Sequence, residues 1–216
     1  MHTEFTAREL HDAAFAAANQ LLAEFGFKKR KAGIFSGPTV SPDCIGWLGL
    51  NSASRKVWGV DFNPFVGVRH QPLERLFAAL EVGPPFHAYI PATIAHPLYA
   101  LVPGGHYRPW NVERPDEAES VMRDMVDHFR DFGLPYIAAN STLSGMIERL
   151  RLGDGPPFHG RERLCLALAL VGQDAEARVA LEESLQKLGS HTDPGAERFR
   201  AFGKAFLAWL DGPRTE

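Results

Sequence analysis

Apolar residues recur with helical spacing over residues 6–25 and predict an opening helix. Thr6 and Glu9 stand three residues apart at its start, which is the spacing of a capping box, in which each side chain bonds to the other residue's backbone amide. Gly26 follows the last apolar position as a natural stop. The basic run at 28–31 comes next, and cations near a helix C-terminus, leading into a strand, explain it better than a phosphate site does.

The pattern then changes to that of strands. A short strand is predicted at 33–36, followed by strands at 44–50 and 56–63, the last of which alternates between apolar and polar positions. The sequence NSASR between the two longer strands is short and polar, so a hairpin is the simplest connection. Glycines within these strands weaken them and predict bulges or the close packing of a helix; they are Gly46, Gly49 and Gly59.

Proline dominates the middle of the chain. Pro72 begins a predicted helix over 72–82, and residues 83–110 then contain six prolines and three histidines. Because proline lacks an amide donor and fixes φ, we expect this segment to be largely irregular. Only 97–102 has the composition of a strand, and its leading proline favours an edge position.

Helical patterns fill the remainder. Helices are predicted from 115 to about 131, where Gly133 ends the pattern, and at 142–151. Two helices joined by a turn at Gly172 are predicted over 161–188, and Asp193 with Pro194 opens a last one. The sequence therefore predicts an α+β fold: a small, mostly antiparallel sheet flanked by helices in 1–139, then an all-helical subdomain at 140–216 packed against it.

Composition narrows the class of protein. The chain has 216 residues, a net charge of −3 and a pI near 6.3, which argues against a nucleic-acid-binding protein. The N-terminus lacks the basic start of a signal peptide, and the longest apolar run, LCLALALVG, is too short to cross a membrane. Cys44 and Cys165 lie in apolar runs and are predicted to be buried thiols. A cytoplasmic protein is expected, with no membrane or nucleic-acid partner.

Motifs for known chemistry are missing from the sequence. There is no GxSxG, no GxxxxGK[ST] and no GxGxxG with its acidic residue. His87, His96 and His106 are nine and ten residues apart in a proline-rich segment, which matches no metal-ligand template. We therefore predict no catalytic residues, metal or cofactor. The alternative is an enzyme whose acid–base site is built from Asp61 and some of these histidines, which would have to converge in one pocket.

Large aromatic side chains are concentrated in the same proline-rich segment. Aromatic residues provide much contact area at low entropic cost, as interface anchors do, although they could instead cover the core beneath a long loop. We take the protein to be a protein-binding module whose contact surface is the sheet face together with the loop. The predicted interaction residues are Asp61, Phe86, His87, His106, Tyr107 and Trp110. A homodimer of 23.9 kDa subunits is a further alternative.

Two resemblances accompany these patterns. Residues 164–184 resemble one tetratricopeptide motif, through Leu164, Leu168, Gly172, Ala177 and Leu181. A solenoid needs about three such units, so this resemblance implies a helical hairpin and not a peptide-binding array.

The order of parts also resembles a bacterial domain-of-unknown-function family. The matching features are Gly26 to Lys29, the segment from Leu101 to Trp110, and Gly133-Leu134-Pro135. This family carries no activity or catalytic residues over to the chain. Some small bacterial domains of this sort look like immunity proteins, so the resemblance implies, by analogy, that this chain binds and neutralises a toxin.

Overall fold

A computed structural model describes residues 5–31, 33–55, 59–80, 85–156 and 159–213. Its chain forms two compact units, the first Met1–Val68 with Ala95–Ala139 and the second Arg69–Ile94 with Asn140–Glu216. An antiparallel sheet and a C-terminal helical region are present, so the predicted α+β class is confirmed. The domains at 1–139 and 140–216 stay a prediction, because a division into compact units does not test independent folding.

The strands are β1 (Lys28–Lys31), β2 (Ile34–Ser41), β3 (Cys44–Arg55), β4 (Gly59–His70), β5 (Ile94–Pro97) and β6 (Trp110–Val112). The helices are α1 (Ala7–Ala23), α2 (Gln71–Ala79), α3 (Leu98–Leu101), α4 (Ala118–His128), α5 (Leu134–Ala139), α6 (Leu143–Arg151), α7 (Gly160–Leu170), α8 (Asp174–Leu188) and α9 (Pro194–Asp211). A 3₁₀ turn at Pro115–Glu117 leads into α4, and a π-helical turn at Phe129–Gly133 joins α4 to α5.

The sheet has the order β1-β2-β3-β4-β5, and β6 pairs with β4 in addition. The pairings of β1 with β2, β2 with β3 and β6 with β4 are antiparallel. All four residues of β1 are exposed cations at the edge of the sheet, where charge discourages pairing with another chain. The predicted link NSASR belongs to β3, which continues to Arg55 as an exposed strand end. Residues 56–58 of the predicted strand 56–63 lie outside the described residues.

The opening helix forms as its sequence predicts. Thr6 Oγ1 accepts from the Glu9 amide at 3.2 Å, and Glu9 Oε2 accepts from the Thr6 amide at 2.7 Å, so the capping box is confirmed. Leu10, Ala14 and Leu22 are buried along one face, and α1 packs against α4. Gly26 then adopts a φ of 76°, which accounts for glycine at this turn.

Two predictions made from proline and glycine are wrong. Residues 97–102 are not a strand, because β5 ends at Pro97 and the next four residues form the helical turn α3. Gly133 does not end the helix, which continues into α5. A Cβ at Gly133 would lie 2.6 Å from the ring of Phe129. Glycine is therefore required here for close packing and not as a stop.

The π-helical turn between α4 and α5 has a cause in the sequence. Pro135 has no amide hydrogen, and its ring would clash with the carbonyl of residue 131 in a regular α-helix. Widening the turn at Phe129–Gly133 accommodates the proline without breaking the helix. Pro135 is therefore the sequence signal for the π-helical turn, whereas Gly133 does not end the helix.

The second unit contains the predicted helical hairpin. Helices α7 and α8 pack together, with Gly172 at a φ of 79° between them, so this part of the prediction is confirmed. Asp193 Oδ1 accepts from the amides of Gly195 and Ala196 and caps α9 as predicted. The fully buried Cys165 lies on α7, which confirms the prediction for this thiol; Cys44 in the first unit is buried as well.

A buried ionic network lies within the second unit. Glu74 on α2 accepts from Arg163 Nε at 2.7 Å and from Arg163 Nη2 at 2.6 Å, a bidentate pair. Thr93 Oγ1 donates to the same carboxylate at 2.9 Å, and Arg69 Nη1 lies 3.6 Å from it. Arg69 also donates to the carbonyls of His87 and Pro91. These charged side chains are almost completely inaccessible, so each depends on the others for compensation.

Candidate functional site

Three of the predicted interaction residues lie together at one cleft in the first unit. His106, Tyr107 and Trp110 line a depression of about 200 Å³. The other lining residues are Tyr99, Val102, Gly105, Arg108 and His128. We call this depression the aromatic cleft. Three residues of the segment that the sequence predicts as a contact loop therefore line one surface depression.

A glycine turn forms one wall of the aromatic cleft. After α3, Gly104 has a φ of 68° and the Gly105 amide donates to the Val102 carbonyl at 2.8 Å. A Cβ at Gly105 would lie 2.1 Å from the Tyr99 carbonyl oxygen, so only glycine fits there. The tight turn brings the chain back on itself and places the Tyr107 ring edge-on to Tyr99, with centroids 5.4 Å apart.

Asp124 on α4 holds the other wall in place. Its Oδ2 accepts from Trp110 Nε1 at 2.8 Å and from Arg108 Nη2 at 2.9 Å. Trp110 begins β6, which pairs with β4 opposite Phe62, and only 3% of Trp110 is exposed. One carboxylate on a helix therefore fixes two side chains of the neighbouring segment, and both of them line the cleft.

His128 closes the cleft at the end of α4. Its Nδ1 lies 2.8 Å from the Asp124 carbonyl oxygen, which can only accept, so Nδ1 carries the proton. The imidazole ring meets Trp110 edge-on at a centroid distance of 5.6 Å. The π-helical turn begins at the next residue, and such turns occur frequently at functional sites.

The cleft presents exposed aromatic and cationic groups. Tyr107 is 59% exposed, and the side chain of Arg108 is 61% exposed although one of its nitrogens is bonded to Asp124. Aromatic walls with a guanidinium at the rim suit a partner that supplies an apolar side chain and an acceptor. No serine or cysteine is among the lining residues that could act as a nucleophile.

Asp61 lies on β4, where its register partner on β6 is Asn111. The residue is only 3% exposed. Its Oδ2 is 2.5 Å from Arg55 Nε, and its Oδ1 accepts from Asn111 Nδ2 at 2.8 Å. The carboxylate is thus engaged within the sheet, and the described structure gives it no histidine partner.

Phe86 and His87 belong to the second unit, apart from the other predicted interaction residues. Phe86 is 42% exposed, and the guanidinium groups of Arg69 and Arg75 lie 5.4 and 5.6 Å from its ring centroid. His87 Nδ1 accepts from the Tyr89 amide at 3.2 Å. These contacts account for both residues as parts of a folded loop.

The histidines of the proline-rich segment have separate surroundings. His96 stacks on Tyr136 in the first unit, His106 lines the aromatic cleft, and His87 lies in the second unit. Within the described ranges, no group of three or more histidine, cysteine, aspartate or glutamate residues is placed to hold a metal ion. The contacts of Asp61 and of these histidines therefore give the alternative acid–base site no support.

Sequence reasoning missed the residues that organise the cleft. Asp124 and His128 lie on one face of α4 four residues apart, and Arg108 lies between the predicted residues Tyr107 and Trp110. The four-residue spacing of Asp124 and His128 is the available signal. Polar residues at this spacing are, however, common on the solvent-exposed faces of helices. Only the pairing of β6 with β4 brings α4 and the aromatic segment together.

Comparisons with protein-family models, with curated proteins and with solved structures give no match to this chain. Among the described residues, no helix combines the length and the apolar character needed to cross a membrane.

Proposed function

We propose that this protein binds another protein through the aromatic cleft, without catalysing a reaction. The observation that carries the proposal is the position of Asp124, whose one oxygen bonds both Trp110 and Arg108. Side chains that are fixed before binding lose less entropy on association, so a held Trp–Arg pair is a suitable anchor site. Tyrosine, tryptophan and arginine are also the residues most enriched at binding hot spots.

The size of the cleft favours a protein ligand over a small molecule. Its volume of about 200 Å³ lies below the roughly 300–1,000 Å³ of typical small-molecule pockets. One large side chain of a partner fits such a space. Since Arg108 and His106 lie at the cleft, we expect this side chain to be apolar and to be flanked by an acidic residue or a carbonyl oxygen.

Site-specific photocrosslinking tests the proposal. A photoreactive phenylalanine analogue replaces Tyr107, and a second protein carries the analogue at Val179, which is similarly exposed but lies in the second unit. In lysate from the source cell, the analogue at 107 should crosslink one discrete protein, and the analogue at 179 should not. Crosslinks that are equal at the two positions, or absent from both, would refute the proposal.

Substitution of Tyr107 measures the energetic part of the claim against the captured protein. Y107A should weaken binding by about thirtyfold, because truncating a hot-spot tyrosine costs at least about 2 kcal/mol. Y107F keeps the ring and serves as the matched control, with binding close to that of the wild type. Equal affinities for wild type and Y107A would show that the cleft is not the contact surface.

The analogy with immunity proteins supplies the first partner to test. We infer a cytoplasmic protein that binds a toxin produced beside it, and the product of the adjacent gene is the direct candidate. Co-expression of the two products should protect cells from the toxin, and Y107A should lose this protection. A neighbouring product that neither binds nor harms the cell would remove the toxin hypothesis while leaving the crosslinking test of protein binding in force.

A further inference from the structure

A larger cleft, separate from the aromatic one, lies among the helices of the second unit. It has a volume of about 740 Å³, within the range of small-molecule sites, and is formed by the end of α6, the start of α7, the end of α8 and the start of α9. We call it the helical cleft. Apolar residues such as Leu150, Leu164 and Phe199 share its lining with charged side chains and several glycines.

A buried carboxylate lines this cleft with one oxygen free. Glu162 is only 2% exposed, and its Oε1 lies 3.4 Å from His159 Nδ1 and 3.6 Å from Arg198 Nη2. Among the described residues, no hydrogen bond is made to its Oε2. A carboxylate oxygen accepts hydrogen bonds, so Oε2 favours a ligand that carries a hydroxyl or ammonium group.

Some cations that line the helical cleft have carboxylate partners, and others have none among the described residues. Arg151 is paired with Glu148 and Glu176, and Arg198 with Glu162. Arg161 and Lys187 are exposed, and in the part of the chain that the structure describes neither has a carboxylate partner.

Two further charged groups complete the electrostatics of the cleft. Glu183 also lines it, whereas Asp193 is occupied in capping α9. Arg161 and Lys187 are therefore the cations that can meet an anionic group, with the Glu183 side chain beside them in the lining. The N-terminus of α7 adds to this field, because its N-cap residue His159 makes no side-chain capping bond.

We propose that the helical cleft binds a small molecule that combines an anionic group with a hydroxyl or ammonium donor. Arg161, Lys187 and the first amides of α7 hold the anionic group, and Glu162 Oε2 accepts from the donor. Arg198 lies 3.6 Å from Glu162 and offsets its charge, which reduces its repulsion of the anionic group. This site is independent of the aromatic cleft and of protein binding there.

Three probes separate the two halves of the proposal. Glycerol 3-phosphate carries both an anion and hydroxyl groups, inorganic phosphate carries only the anion, and glycerol carries only the hydroxyls. Each is titrated into the full-length protein while backbone amide chemical shifts are followed by NMR. Glycerol 3-phosphate should give saturable shifts at Gly160 and Arg161, with a lower Kd than either of the other probes. No saturable shift up to about 10 mM, beyond the range of even weak sites, would overturn the proposal.

Charge variants assign the binding to the cleft. R161Q/K187Q should weaken glycerol 3-phosphate binding by about tenfold, because two exposed charge pairs worth up to about 1 kcal/mol each are lost. K204Q removes an exposed lysine of α9 that does not line the cleft, and it should leave the affinity unchanged. E162Q should reduce the ratio of the affinity for glycerol 3-phosphate to the affinity for phosphate, because a neutral amide accepts more weakly from the hydroxyl group. Equal effects of K187Q and K204Q, or equal affinities of the wild type for the two anions, would overturn the assignment.

Discussion

Replacing Glu74 by glutamine tests the buried ionic network of the second unit. The substitution keeps the size of the side chain but replaces Oε2, which accepts from Arg163 at 2.6 Å and lies 3.6 Å from Arg69, with an NH₂ group. The new NH₂ group then faces the N–H donors of the guanidinium groups. Arg69 and Arg163, which are about 99% buried, lose their counter-charge. Removing one partner of a buried ion pair costs about 3–5 kcal/mol, so we expect E74Q to lower the free energy of unfolding by that amount.

Urea denaturation followed by circular dichroism measures this loss. A domain is stable by only about 5–15 kcal/mol, so the midpoint should move visibly toward lower urea. E119Q is the matched control: Glu119 pairs with Arg123 at 2.7 Å on the exposed face of α4, and such a pair contributes less than about 1 kcal/mol. A loss for E74Q no larger than that for E119Q would refute the reasoning.

One further variant keeps the test informative if E74Q is too unstable to purify, and a second one measures the coupling if E74Q can be purified. T93V removes the hydroxyl that donates to Glu74 and accepts from the His70 amide, both at 2.9 Å, and should cost about 1–3 kcal/mol. The double variant E74Q/R163Q should lose less stability than the sum of the two single variants, by about 0.5–3 kcal/mol, since the residues are in contact. Additive losses would mean that the bidentate pair does not couple the two helices energetically.

Three other outcomes follow from the structure. Burial, with a smaller contribution from Glu162, raises the pKa of Cys165 to about 12 from 9.0, so the folded state keeps this proton longer than the unfolded state does. The contribution of the protonated Cys165 thiol to stability is therefore complete below pH 9 and is lost as the pH rises to 12. In C165A, the urea midpoint should fall less steeply with pH between pH 9 and pH 12 than it does in the wild type. An equal fall in the two proteins would contradict this. Cys44 and Cys165 should react with a thiol reagent at pH 8 only after unfolding, and a fast reaction of the native protein would count against their burial. G133A should lower the free energy of unfolding by about 1–3 kcal/mol through its clash with Phe129, and a loss below about 0.5 kcal/mol in the same urea assay would show that the π-helical turn can adapt.

Local signals in the sequence were sufficient for most of the helices. The capping box of Thr6 and Glu9, the turn at Gly172 and the cap at Asp193 all act over a few residues, so the structure has them where the sequence predicts them. The α+β class follows from the same patterns, because the periods of helix and strand differ and are visible in the order of side chains.

Longer-range packing decided the features that sequence analysis misjudged. Gly133 has the composition of a helix stop, but the ring of Phe129 beside it makes it a packing residue inside a continuous helix. The segment 97–102 has the composition of a strand, yet it turns into α3 after a pairing that ends at Pro97. A local pattern cannot reveal these outcomes, since each depends on which neighbour fills the adjacent space.

The candidate sites show the same division. His106, Tyr107 and Trp110 lie in one segment of the sequence, and the composition of that segment was enough to predict them as contact residues. Only the tertiary structure brings Asp124 of α4 to Trp110 and Arg108, and only the tertiary structure buries Glu162 at the helical cleft. The sequence determines the type of each side chain. The partner and the solvent exposure of each polar group depend on residues distant in sequence, which only the fold brings together.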